Sequence, residues 1–171
     1  MTLLPSAPPA PAPIRALTSI VDWTIVAIGA TMILLVFVNV IFHVTGGDIA
    51  WTTEFCEFLM VWVTFLGGAA ASRRGLHMTI TEFLDKLGTL GRRVADAAIQ
   101  LFCLAVLALL VWYGMGIVNA GWGNELTVLH FPMALQYLAL PVGAGAMAVF
   151  TAWDLVEIIR GKSRQQRYGT A

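Results

Sequence analysis

Two carboxylates stand where carboxylates are rare. Glu54 and Glu57 interrupt a long apolar stretch, three residues apart, a spacing that puts both on one side of a helix. An ionisable group inside a membrane span is a functional candidate by default. Three uses are open: a proton or cation site, a bond to a partner subunit, or contact with outer water by a snorkelling side chain. With a span starting at Trp51, the two lie roughly 5 and 9 Å along the helix axis, near its rim rather than its centre. The histidines are His43, His77 and His130. Two histidines on one side of a helical membrane bundle can hold a haem axially. His43 and His130 fall at helix ends, however, and no second pair stands across the membrane. Cys56 and Cys103 each sit alone in an apolar run, which is the pattern of inert thiols. Zinc spacing, a phosphate loop and a nucleophile elbow are all missing from the sequence. The residues therefore specify no catalytic centre, cofactor or metal, and the chain does not read as an enzyme.

The elements that would position these groups are apolar and long. Of 171 residues, 58% are hydrophobic and 12% charged, against about 25% charged in a soluble domain. A bilayer can accept such a surface. Four apolar runs, at about 20–44, 51–72, 94–118 and 132–159, each meet the roughly 20 residues that a spanning helix needs. Backbone groups in lipid must be paired within their own segment, so apolar runs become helices. The expected fold is an all-α membrane protein of four transmembrane helices. Ser19 and Asp22 suit the start of the first helix, and Thr45-Gly46-Gly47-Asp48 its end. Pro132 suits the first turn of the fourth. Residues 1–14, with five of the seven prolines, read as a disordered cytoplasmic tail, and 162–171 as a basic one. The first apolar run exceeds the length of a signal core, and no basic cluster leads it.

All ten Lys and Arg residues fall before the first run, between the second and third, or after the fourth. Four spans bring those three segments to one side, and the positive-inside rule makes it the cytoplasm. Both termini are then inside. The outer loops carry Asp48 and Glu125, with Trp51 and Trp122 placed for an outer aromatic belt. Between spans two and three, residues 79–87 place Ile80, Phe83, Leu84 and Leu87 at helical spacing among charges. That predicts a short amphipathic helix at the inner interface. Asp96 with Arg92 and Arg93, and Glu157 with Arg160, read as inner-interface pairs, each contributing a few tenths of a kcal/mol if exposed, and Asp154 is grouped with them. Gln100 and Gln136 suit interhelical hydrogen bonds. Gly67 with Ala71 and Gly68 with Ser72 form small-residue faces that admit a neighbouring helix. Pro141 must leave one helical bond unmade and kink the fourth span.

In combination, several stretches resemble one family. They are Trp51-Thr52-Thr53-Glu54, the run from Trp62 through Phe65-Leu66-Gly67-Gly68-Ala69, and Arg73-Arg74-Gly75-Leu76-His77-Met78. Phe131-Pro132-Met133, Tyr137 and Leu140-Pro141-Val142-Gly143 continue the likeness into the fourth span. The pattern resembles the small, DctQ-like membrane subunit of TRAP transporters over residues 15 to 161. It departs from the family at Glu57, where many members carry a basic residue, so no ion pair is carried over there. The resemblance implies a tripartite uptake system of the bacterial inner membrane. A periplasmic protein captures an organic anion, often a carboxylate. A large DctM-like subunit moves it inward with sodium and holds the substrate and ion sites. The small subunit serves as a multi-pass scaffold among membrane lipids, and nucleic acid is not a partner. Candidate contacts with the large subunit are Trp51, Glu54, Glu57 and Trp62, the small pair Gly67 and Gly68, the inner Arg73 and His77, and Pro141 with Gly143 on the fourth span.

Two rival readings belong to other classes. A small proton-coupled exporter working as a dimer needs a carboxylate near the middle of a span, and the first helix has none past Asp22. A redox subunit needs a haem or quinone site, for which the histidine pattern gives little basis.

Overall fold

A computed structural model describes residues 11–47, 49–74 and 89–161. Five helices follow in order: α1 (Ala12–Val44), α2 (Ala50–Arg73), α3 (Thr89–Gly121), the single turn α4 (Ala134–Tyr137) and α5 (Ala139–Ile159). α4 and α5 together make the fourth span, and all four spans are long and apolar enough to cross a bilayer. The amphipathic helix expected at 79–87 lies outside the described residues, as does His77.

The helices outrun the apolar stretches. α1 has 33 residues, about 50 Å at 1.5 Å per residue, against a hydrocarbon core of about 30 Å. It starts behind Pro11, with a proline in its first turn, where a missing N–H is harmless. Ser19 is therefore not the start of the helix but an exposed residue within it. Apolarity set the expected boundary, whereas helix propensity and the prolines set the real one, so that the last three residues of the segment 1–14 are helical. α3 likewise extends past both ends of 94–118. In the fourth span Pro141 cannot donate to the Tyr137 carbonyl. The helix breaks at Leu138 and resumes with Val142 N–H donating to the Leu138 carbonyl at 3.1 Å.

The spans form a row rather than a chain-order ring. α1 packs along α2, α2 along α5, and α5 along α3, with α4 resting on α3. α2 and α5 are the central members. Ile14 meets Ala69 and Phe150, while Val21 meets Leu66 and Ala70. The most deeply buried side chains are small: Ala69, Ala134, Ala139 and Ala144. Lipid is as apolar as leucine, so helices gain by close backbone approach, which small residues permit. At Gly143 a Cβ would fall 3.0 Å from the backbone carbon and oxygen of Phe65. At Gly121 it would fall 3.0 Å from the nitrogen of Ala134. These two contacts seat α5 on α2 and the fourth span on α3.

Polar ties close the ends. Asn39 Oδ1 accepts from Ile49 N–H at 3.2 Å across the first turn. At the opposite end Arg74 reaches Asp22 at 3.1 Å, and Arg93 donates to the Gly161 carbonyl at 3.1 Å. Asp22, expected to serve the α1 dipole, thus ties α1 to α2.

Candidate functional site

Glu54 accepts three backbone hydrogen bonds from one loop. It projects from the first turns of α2 toward the segment between α3 and α4. There its carboxylate accepts backbone N–H bonds from Thr127 (2.6 Å), Val128 (2.9 Å) and Leu129 (2.7 Å). Three successive amides on one carboxylate form an anion nest whose anion belongs to the chain itself. The segment is folded to present them. Leu126 N–H donates to the Phe131 carbonyl at 2.9 Å, His130 N–H to Leu126 at 3.2 Å, and Met133 N–H to Asn124 at 2.8 Å. His130 adopts φ 53°, an uncommon conformation for a residue with a side chain. Its Nδ1 lies 3.8 Å from Glu125 Oε2, both groups exposed. Leu126 is buried beneath the loop.

The residue pattern left three uses open for Glu54 and did not point to this fourth one, an internal clamp. Glu57, three residues further along α2, takes no part in this clamp. It faces outward, exposed, with no partner among the described residues.

An aromatic ladder runs down α2. Trp51 meets Phe55 edge-on at 6.1 Å, Phe55 stacks on Phe58 at 6.1 Å, and Phe58 lies 6.5 Å from Trp62. Trp51 is exposed near the start of α2. Trp62 packs against the Val21–Leu66–Ala70 cluster with its Nε1 buried and unbonded. Gly68 meets the flexible tip of Met147, Pro141 lies against Gly114, and Gly143 sits on Phe65. These positions seat the chain's own helices on one another. Gly67 differs: a Cβ there would meet nothing within 4 Å. Arg73 is half-buried with its Nε unbonded.

Asp154 and Glu157 require a correction. Both are buried, at 8% and 6% exposure, rather than lying at an open inner rim. Gln100 of α3 donates its amide N–H to Asp154 Oδ2 of α5, the kind of interhelical bond expected of that glutamine. Asp154 and Glu157 share one buried stripe of α5 with Phe150, Thr151 and Ile158. Arg160, expected to pair with Glu157, also lies 5.7 Å from the Trp153 ring centroid.

The arrangement is one of clamps and seams, without a cluster that could hold a metal ion among the described residues. Comparison with known proteins gives it a context. The sequence model of the DctQ component of tripartite ATP-independent periplasmic transporters matches residues 32–161. The ectoine TRAP transporter small permease protein TeaB of Halomonas elongata is 30% identical over 149 residues, 81% of this chain and 76% of that protein. The C4-dicarboxylate TRAP transporter small permease protein DctQ of Rhodobacter capsulatus is 29% identical over 106 residues, 60% of this chain and 46% of that protein. The isethionate TRAP transporter permease protein DctMQ of Oleidesulfovibrio alaskensis is 23% identical over 126 residues, 72% of this chain but only 20% of that longer protein. These relatives are permease subunits, not enzymes, and their setting is the multi-pass inner membrane. The chain belongs to the DctQ family and is a small permease subunit of a TRAP transporter.

Proposed function

We propose that this subunit is a stationary scaffold for a large DctM-like transport subunit. The pair would import an organic anion delivered by a periplasmic binding protein and driven by sodium. The observation that carries this reading is the way the spans are seated. α5 rests backbone-on-backbone against α2 at Gly143, and the fourth span rests on α3 at Gly121. Helices in such contact cannot slide past one another without separating. That suits a fixed frame and not a moving carrier. The anion class is supported by relatives named for isethionate and C4-dicarboxylates.

Orientation follows from charge. Asp22 with Arg74, and Arg93 with Gly161, lie at the end shared by the α1 start, the α2 finish, the α3 start and the α5 finish. That end carries Arg15, Arg73, Arg74, Arg92, Arg93 and Arg160, and is assigned to the cytoplasm. The Glu54-clamped loop is then periplasmic.

Reconstitution tests the reading. Proteoliposomes holding both membrane subunits should take up substrate when given the binding protein and an inward sodium gradient. Liposomes holding this chain alone should take up none. Uptake by this chain alone, or by the large subunit equally well without it, refutes the scaffold role.

A further inference from the structure

The four spans do not present the same kind of surface outward. On α1 the exposed side chains include Trp23, Val26, Ile33 and Phe37. On α3 they include Leu101, Phe102, Leu109 and Trp112. On α5 they include Val142, Val149 and Val156. These faces are predominantly apolar, although Thr31 on α1, bonded back to the Ala27 carbonyl, and Tyr113 on α3 are exposed among them. The exposed stripe of α2 carries Thr53, Glu57, Met60 and Thr64, followed by the uncovered Gly67. Spacings of four and three keep these residues in one line. The line lies opposite the residues that α2 uses internally, Leu66 and Ala70 toward α1 and Phe65 toward α5.

Lipid is a poor occupant for that line. Glu57 is a carboxylate about 10 Å along the helix from Ala50, with no partner among the described residues. Polar groups at such depth turn toward protein or water. The Thr64 hydroxyl donates to the Met60 carbonyl at 2.8 Å, which leaves its oxygen free to accept. Gly67 leaves room for another backbone. Glu57 and Thr64 therefore both offer acceptors, and a partner facing them must supply donors.

We infer that the α2 stripe from Thr53 to Gly67 is the seat of one transmembrane helix of the large subunit, which presents an N–H donor, cationic or amide, to Glu57. The inference rests on the scaffold reading above and specifies its contact surface. α1 and α3, at the two edges of the row, then face lipid along their outer sides.

The test uses the complex co-expressed with a tagged large subunit. A photo-reactive benzoylphenylalanine replaces Met60 or Thr64 on α2 and, in separate variants, Ile33 on α1 or Phe102 on α3. Adducts with the large subunit should form from Met60 and Thr64, and not from Ile33 or Phe102. The inference is overturned by large-subunit adducts from Ile33 or Phe102 with none from α2. It is overturned equally if the α2 adducts join only a second copy of this chain or only lipid. Recovery of the large subunit with the unsubstituted chain is the control. If none is recovered, the scaffold reading itself fails and this inference falls with it. Glu57→Lys should lower that recovery about three- to tenfold, the range of one interhelical hydrogen bond, while Glu57→Gln keeps most of it. The melting temperature of the isolated chain should not change with either variant, because Glu57 is exposed and has no partner among the described residues. Full recovery with Glu57→Lys overturns the role given to the carboxylate.

Discussion

The carboxylate of Glu54 accepts the backbone N–H of Leu129 at 2.7 Å although 75 residues separate them. With the Thr127 and Val128 bonds, it ties the α3–α4 loop to the start of α2. Charge-assisted bonds of this kind are about twice as strong as neutral ones. Glu54→Ala should raise amide hydrogen exchange at residues 127–129 by about tenfold or more. Glu54→Gln, which keeps an acceptor oxygen but loses the charge, should give an intermediate value. Unchanged exchange in Glu54→Ala means that the clamp does not hold the loop.

The clamp shows what the sequence could reveal and what it could not. Four apolar runs and the Pro141 break were legible because each is a local or additive property. The partner of Glu54 was not, since backbone amides carry no residue-type signal. The burial of Asp154 and Glu157 was hidden for another reason. Inward and lipid-facing positions are both apolar here, so hydrophobic periodicity does not say which side faces in. Ser19 misled because apolarity marks where a membrane begins, not where a helix does.

Gly143 and Gly67 form a matched pair. Gly143→Ala drives a Cβ into the Phe65 backbone and should destabilise the isolated chain by about 1–3 kcal/mol, the usual range for overpacking. Gly67→Ala enters open space and should leave it unchanged. A melting curve for each variant in the same detergent checks both. Equal melting temperatures would contradict the α2–α5 seam.

Gln100 and Asp154 join α3 to α5. Interhelical bonds in membranes average about 0.6 kcal/mol with an upper range near 1.7. A double-mutant cycle with Gln100→Leu and Asp154→Leu should return a favourable coupling in that range. A coupling of zero would show that the two side chains do not act together.

Arg74 and Asp22 are bonded but exposed, at 58% and 37% of their side chains. Such pairs contribute at most about 1 kcal/mol and weaken with salt. Arg74→Ala should lower the melting temperature slightly at low salt and leave it unchanged at high salt. A large loss that persists at high salt would mean that Arg74 does more than pair with Asp22.

Sodium-driven uptake in proteoliposomes, with the binding protein supplied and the two membrane subunits present together or singly, tests whether this subunit frames a transporter without carrying substrate itself. Uptake is expected only when both are present, and none from this chain alone. Uptake by this chain alone, or undiminished uptake by the large subunit without it, would rule out such a frame.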